Sequence, residues 1–112
     1  MKQLNCEIGL KEFQINDQGI LRFNPTDPAV FSRLEQLTDP ANMPLDQGVL
    51  AMDKYLTEGL DRVFPGNDFA QLLQGVSPMA MTASGKLVFH NLVEALMGIM
   101  TEGMDQLAAT LV

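Results

Sequence analysis

Between Glu7 and Phe23 the apolar residues fall at loosely alternating positions: Ile8 and Leu10, then Phe13 and Ile15, then Leu21 and Phe23. Alternation gathers apolar side chains on one face of an extended strand. The run is interrupted by Asn16-Asp17-Gln18-Gly19. Asn, Asp and Gly accept left-handed backbone angles at little cost, so the pattern predicts a β-hairpin with arms near 10–15 and 20–24. A lone hairpin is marginal in water and must pack on something else.

After Phe23 the period changes from two to between three and four. Asp27 is a natural N-cap, and Pro28 at the first helical position gives up no hydrogen bond. Val30, Phe31, Leu34 and Leu37 then recur at helical spacing until Pro40 forbids continuation. Residues 38–44 read as a loop. A second helix is expected to start at Asp46. It carries Leu50, Tyr55 or Leu56, Leu60, Val63 and Phe64 on one side, with Asp53, Lys54, Glu58, Asp61 and Arg62 on a solvated one. Glu58 and Arg62 are spaced as a stabilising pair. Pro65-Gly66 ends that helix. Asn67-Asp68 caps a short helix over 69–74 closed by Gly75, and 76–82 reads as an irregular apolar segment lying against the core.

The last helix is expected from about Ser84 to Leu111. Its apolar set is Leu87, Val88, Phe89, Leu92, Val93, Leu96, Met97, Ile99, Met100, Met104, Leu107 and Leu111. A helix seated on the outside of a small domain needs one apolar stripe, roughly 100° wide. This set is wider, so the helix is either central to the core or meant for another chain. The part before Gly98 is expected to be enclosed by the rest of the fold. Beyond it, Met100, Met104, Leu107 and Leu111 follow at spacings of four, three and four. With Met97 they form the candidate protein-binding residues. Thioethers suit adaptable contacts, and such a stripe fits a groove or a second copy. Gly98 and Gly103 inside the helix each cost ~1 kcal/mol relative to Ala, which implies a kink, a fray point or the close approach of another backbone.

The whole reads as an α+β fold, an N-terminal β-hairpin followed by three to four α-helices and mainly helical, in a single domain (1–24 hairpin, 28–112 helical part). Its 112 residues suffice for a real core without metals or disulfides. The net charge of −7, with only seven scattered Lys and Arg, argues against nucleic acid and anionic membranes as partners. Cys6 is the only cysteine, so no internal disulfide forms. The residues behind Lys2 lack the apolar core of a signal peptide, and Leu87–Met100 is too short and polar to span a bilayer, so a cytoplasmic location is expected.

Catalytic parts are wanting. His90 is the only histidine, set among apolar neighbours without a nucleophile, and Cys6 lacks a local partner. One His and one Cys far apart cannot make a structural zinc site. Asp27, Asp46 and Asp68 fall at helix starts, where the dipole welcomes negative charge. Asp53 and Asp61 share a helix face for which solvation is reason enough. Gly85-Lys86-Leu87 lacks the upstream glycine and the Ser or Thr of a phosphate loop. No catalytic, cofactor-binding or metal-ligating residue is assigned, and no cofactor is expected. A site built from the dispersed Tyr55, His90 and Glu94 is the alternative in which the chain is an enzyme or ligand-binding domain.

Three stretches carry a likeness to known proteins: Phe13-Gln14-Ile15-Asn16 through Leu21-Arg22-Phe23-Asn24-Pro25-Thr26-Asp27; Leu60-Asp61-Arg62-Val63-Phe64-Pro65-Gly66-Asn67 with the following Phe69-Ala70-Gln71-Leu72-Leu73; and Leu87–Met100 with His90-Asn91-Leu92. In order and spacing the chain resembles a family of small proteins encoded among the tail genes of phages and prophages of Gram-positive bacteria, regarded as tail assembly chaperones or their relatives. The resemblance implies binding of the tail tape-measure protein, whose long helices would be kept soluble while tube subunits assemble, and it implies no catalysis. Several such chaperones also have a frameshifted longer form. The alternative of another class is a small structural adaptor that forms a homo-oligomer.

Overall fold

The computed structural model describes residues 1–17 and 19–112. Strands β1 (Lys11–Ile15) and β2 (Gly19–Phe23) pair antiparallel, with Phe13 opposite Leu21 and Glu12 opposite Arg22. Gln18, in the expected turn, lies outside the described residues; Asn16 before it takes φ +54°, as its short polar side chain permits. Only one face of the hairpin is apolar. Leu21 and Phe23 are buried on it, while Glu12 and Arg22 form an ion pair at 2.9 Å on the other.

The hairpin finds its support through phenylalanine. Phe13 stacks on Phe23 (5.0 Å between centroids), Phe23 meets the edge of Phe64 (4.9 Å), and Phe64 lies 5.6 Å from Phe69. Each such pair is worth about 0.5–1.5 kcal/mol beyond the area it buries. Asn67 reinforces the join: its side-chain oxygen accepts from the Arg22 N–H and its amide donates to the Arg22 carbonyl, both at 2.9 Å. A side chain thus occupies the outer edge of β2 as a neighbouring strand would.

Helix α1 (Pro28–Thr38) starts as expected, with the Asp27 carboxylate accepting from the Ala29 N–H at 2.9 Å and Pro28 in the first turn. Val30, Leu34 and Leu37 are buried. The 38–44 loop contains one 3-10 turn, Pro40–Asn42, capped by Asp39. Helix α2 (Val49–Val63) begins three residues later than expected, behind Gly48 at φ +97°. Asp46 therefore caps nothing. It sits in a turn closed by the Gln47 N–H on the Pro44 carbonyl. The inward stripe of α2 is Leu56, Gly59, Leu60 and Val63. Leu50 is 84% exposed, a correction to its place in that stripe. Six positions before Leu56 it stands about 240° around the helix, on the far side. Glu58 and Arg62 make no ion pair among the described residues.

Asp53 and Asp61 are also corrected, because neither merely faces water. Asp61 accepts from the Phe69 N–H at 2.9 Å, and Asp53 accepts from the Ser77 hydroxyl. Both carboxylates hold α2 to the chain that follows it. Helix α3 (Phe69–Leu72) is shorter than expected, capped by Asp68 and unwound through Gln74 (φ +57°) and Gly75 (φ +78°). In the following segment Pro78 is buried and Met79 packs on the core, while Met81 is exposed and bridges to Leu87. That bridge delays the last helix. The Thr82 N–H reaches the Lys86 carbonyl at 2.7 Å across Gly85, so Ser84–Leu87 are not helical and α4 runs from Val88 to Leu111. Its first amides are satisfied by backbone: Val88 N–H on Ala80 and Phe89 N–H on Pro78, at 2.8 and 2.9 Å. No helix among the described residues is long and apolar enough to cross a membrane.

Candidate interaction surface

Helix α4 supplies Phe89, Leu96 and Met100 to the core, with Leu92, Val93, Met97 and Ile99 half-buried beside them. His90, Asn91, Glu94, Ala95 and Gly98 face solvent. The helix is therefore a covering element with one wet side, and the expectation that its first half is enclosed all round is corrected. The spare apolar width goes to the flanks of the contact, not to a second layer above it.

The two interior glycines have opposite environments. At Gly98 an added Cβ would meet nothing within 4 Å. At Gly103 it would overlap the Pro25 carbonyl oxygen and come within 2.7 Å of its carbon and 3.3 Å of the Thr26 nitrogen. The partner backbone is a turn shaped by Asn24, whose side-chain oxygen accepts from the Thr26 N–H and hydroxyl at 2.9 and 2.6 Å. The 24–27 turn is thus a rigid block on which α4 rests its middle. Packing ends there and not at Gly98.

Beyond Gly103 no residue of the helix is buried. Met104 and Leu107 are half-buried, and Leu111 is 79% exposed. Since the helix continues to Leu111, about two turns project past the last buried position. The radius of gyration, 15.6 Å, exceeds the ~13 Å of a compact chain of this length. Of the candidate protein-binding residues, Met100 is taken out of the surface: it is fully buried and belongs to the core. Met97, Met104, Leu107 and Leu111 remain at least partly accessible on the same side. Met97, Met100, Met104, Leu107 and Leu111 alternate spacings of three and four, the seam of a helix that packs along another helix. The core encloses Met100, packs against one side of Met97, and leaves Met104, Leu107 and Leu111 available.

The dispersed polar residues are not brought together. Tyr55 lines an open cleft of about 590 Å³ between α1 and α2, beside Arg33, Gln36 and Arg62, and its hydroxyl donates to the Leu37 carbonyl at 3.3 Å. Loss of water around the phenol raises its pKa above 10.0, against the lowering pull of Arg62. Arg33 spends two guanidinium N–H groups on the Val63 carbonyl, at 3.2 and 3.0 Å, closing the end of α2. His90 and Glu94 lie on the wet side of α4, Glu94 with Lys86 at 3.5 Å. Cys6 is exposed. Asn67 as the closure of β2 escaped the sequence reading, in which it was only a helix-start residue; nothing local in the chain announces a partner 45 positions away. No protein-family model matches the chain, and no curated protein or solved structure does either.

Proposed function

We propose that the protein binds another protein through the projecting part of α4, in the manner of a phage tail assembly chaperone holding a tape-measure helix. The observation that carries this reading is the seam Met97, Met104, Leu107 and Leu111. It emerges from the core on a helix that outlasts its own packing, with Leu111 at 79% exposure. An amphipathic helix of the partner laid along it would extend the core by one layer, and such grooves are read by anchors at three- and four-residue spacing. Methionines at two of the four positions suit a partner with a long, variable apolar face. The resemblance in sequence to tail assembly chaperones names the tape-measure protein as that partner. The chemistry required is burial of apolar surface, with no bond made or broken.

Truncation at Gly98 would remove Met100 and the Gly103 contact and so test folding, not binding. Point changes separate the two. Leu107→Asp and Leu111→Asp should leave the circular-dichroism melt within about 0.5 kcal/mol of the parent, as surface changes do. Co-expressed with a tape-measure segment, the parent should give a soluble complex of several copies per partner by light scattering, and the double variant should not. A parent that takes up no tape-measure segment would sink the chaperone reading. A parent that instead forms a symmetric oligomer lost in the double variant would assign the seam to self-association, the adaptor alternative.

A further inference from the structure

The residues ahead of the hairpin carry the pattern of a strand but belong to no strand or sheet. Leu4-Asn5-Cys6-Glu7-Ile8 alternates apolar and polar residues at every step, and Gly9, at φ +68°, then turns the chain into Leu10. The alternation is the pattern of a half-buried strand. Yet 4–10 pairs with no strand among the described residues: Leu4, Ile8 and Leu10 are 93%, 63% and 56% exposed, and Cys6 is exposed beside them. Its one long-range hydrogen bond is the Ile8 carbonyl accepting from the Asn24 side chain at 3.0 Å. That bond ties it past the end of the hairpin, and the chain enters β1 directly after Leu10. It cannot lie along β1 of its own molecule without losing that tie and turning back.

At the same time β1 is a strand without a neighbour. Because Arg22 gives its N–H and carbonyl to Asn67, those groups point away from β1. Glu12, directly opposite Arg22, therefore points its own N–H and carbonyl away from β2, and so does Gln14 two residues on. Among the described residues neither finds a partner for these groups. The outer edge of β2 is closed and the outer edge of β1 is open. Beside the open edge lies a cleft of about 380 Å³ walled by Ile15, Leu73, Val88 and Leu92 together with the polar Asn16, Thr82 and Asn91. It continues the face on which Phe13 and Ile15 meet the core.

We propose that segment 4–8 of one copy adds as a third strand to the β1 edge of a second copy, reciprocally, giving a two-fold strand-exchanged dimer. Leu4, Cys6 and Ile8 share one side of the added strand, and that side faces the cleft; Asn5 and Glu7 continue the solvated face of Glu12 and Gln14, and Gly9, at φ +68°, turns the chain between the added strand and its own β1. At five residues the segment spans ~17 Å, the length of the five-residue β1. Main-chain hydrogen bonds at Glu12 and Gln14 hold it, and the apolar alternation sets its face. The exchange is closed, so it ends at two copies.

Light scattering across a dilution series of the full chain, with amide exchange at Glu12 and Gln14, tests this. The mass should double with concentration, and the two amides should slow at least ~10-fold as it does. Ile8→Asp charges the donor face at a position already open to water. Gln14→Pro deletes an edge N–H that the hairpin does not use, a place where Pro is tolerated. Each variant alone should stay monomeric. Mixed, they should form a complex through the one intact donor and the one intact edge, and Leu111→Asp should dimerise like the parent. A parent that is monomeric throughout overturns the proposal, as does a dimer that survives both changes or is lost in Leu111→Asp. Should Gln14→Pro fail to fold, the parent's amides decide: no slowing of Glu12 and Gln14 while the mass doubles overturns it.

Discussion

The two parts of α4 on either side of Gly103 are similar in composition and opposite in circumstance. Val88–Gly103 puts Phe89, Leu96 and Met100 in the core and presses its backbone against Pro25, whereas Met104–Leu111 carries Met and Leu at the same spacing and buries none of them. An apolar residue at helical spacing therefore says that a surface wants covering, not what covers it. The difference comes from reach. The core and the 24–27 turn run out of length before the helix does, so the same stripe is a core in one part and an unpartnered seam in the other.

Met100→Ala should give the largest effect, a loss of about 2–5 kcal/mol in denaturant unfolding, because a fully enclosed side chain leaves a cavity. Leu111→Ala should move the same midpoint by less than about 0.5 kcal/mol. Equal losses would erase the division at Gly103. Next is Gly103→Ala, expected to cost about 1–3 kcal/mol since the new methyl meets backbone that cannot rotate away. Gly98→Ala, in open space on the same helix, should instead stabilise by up to ~1 kcal/mol, and a destabilised Gly98→Ala would place packing where none is found. Without changing any residue, amides over 104–111 should exchange near the rate of a fraying helix end. Those around Leu96 and Met100 should follow global unfolding.

The last expected effect lies away from α4 and serves as its control. Tyr55 is the single tyrosine and there is no tryptophan, so phenolate absorbance reports it alone. Its midpoint should fall above 10.0 because burial disfavours the charged form. As a group whose folded pKa is raised, it contributes stability that is fully present below the unfolded value and is lost as pH rises through the folded one. Tyr55→Phe should remove that alkaline dependence, cost about 0.5–1.5 kcal/mol for the bond to Leu37, and leave the contrast within α4 untouched.

The elements that were legible in the chain share a local cause. Asp27-Pro28 carries its own cap and fixed φ, so α1 starts where expected, and the alternation around Asn16–Gly19 sets the hairpin within a residue at each arm. Errors cluster where a distant group intervenes. Ser84–Leu87 is expected as the start of the last helix, but the Met81–Leu87 bridge closes it into a turn in which Gly85 takes φ +83°. Asp53 and Asp61 sit on an outward face by periodicity, yet Ser77 and the Phe69 amide come to them. Of the candidate binding residues, the spacing was visible and the burial of Met100 was not, because which knob of a seam the core uses depends on where the 24–27 turn lands.

By itself the sequence determined the α+β class, the hairpin, the capped start of α1 and the amphipathic stripe of α2, since periodicity, caps and turn residues act over a few positions. Only the tertiary structure decided that Asn67 closes the edge of β2, that Gly103 and not Gly98 is where α4 touches another backbone, and that Met104, Leu107 and Leu111 are left without a roof. These depend on how far each element extends before the next one ends, which the fold sets and no short stretch of chain encodes.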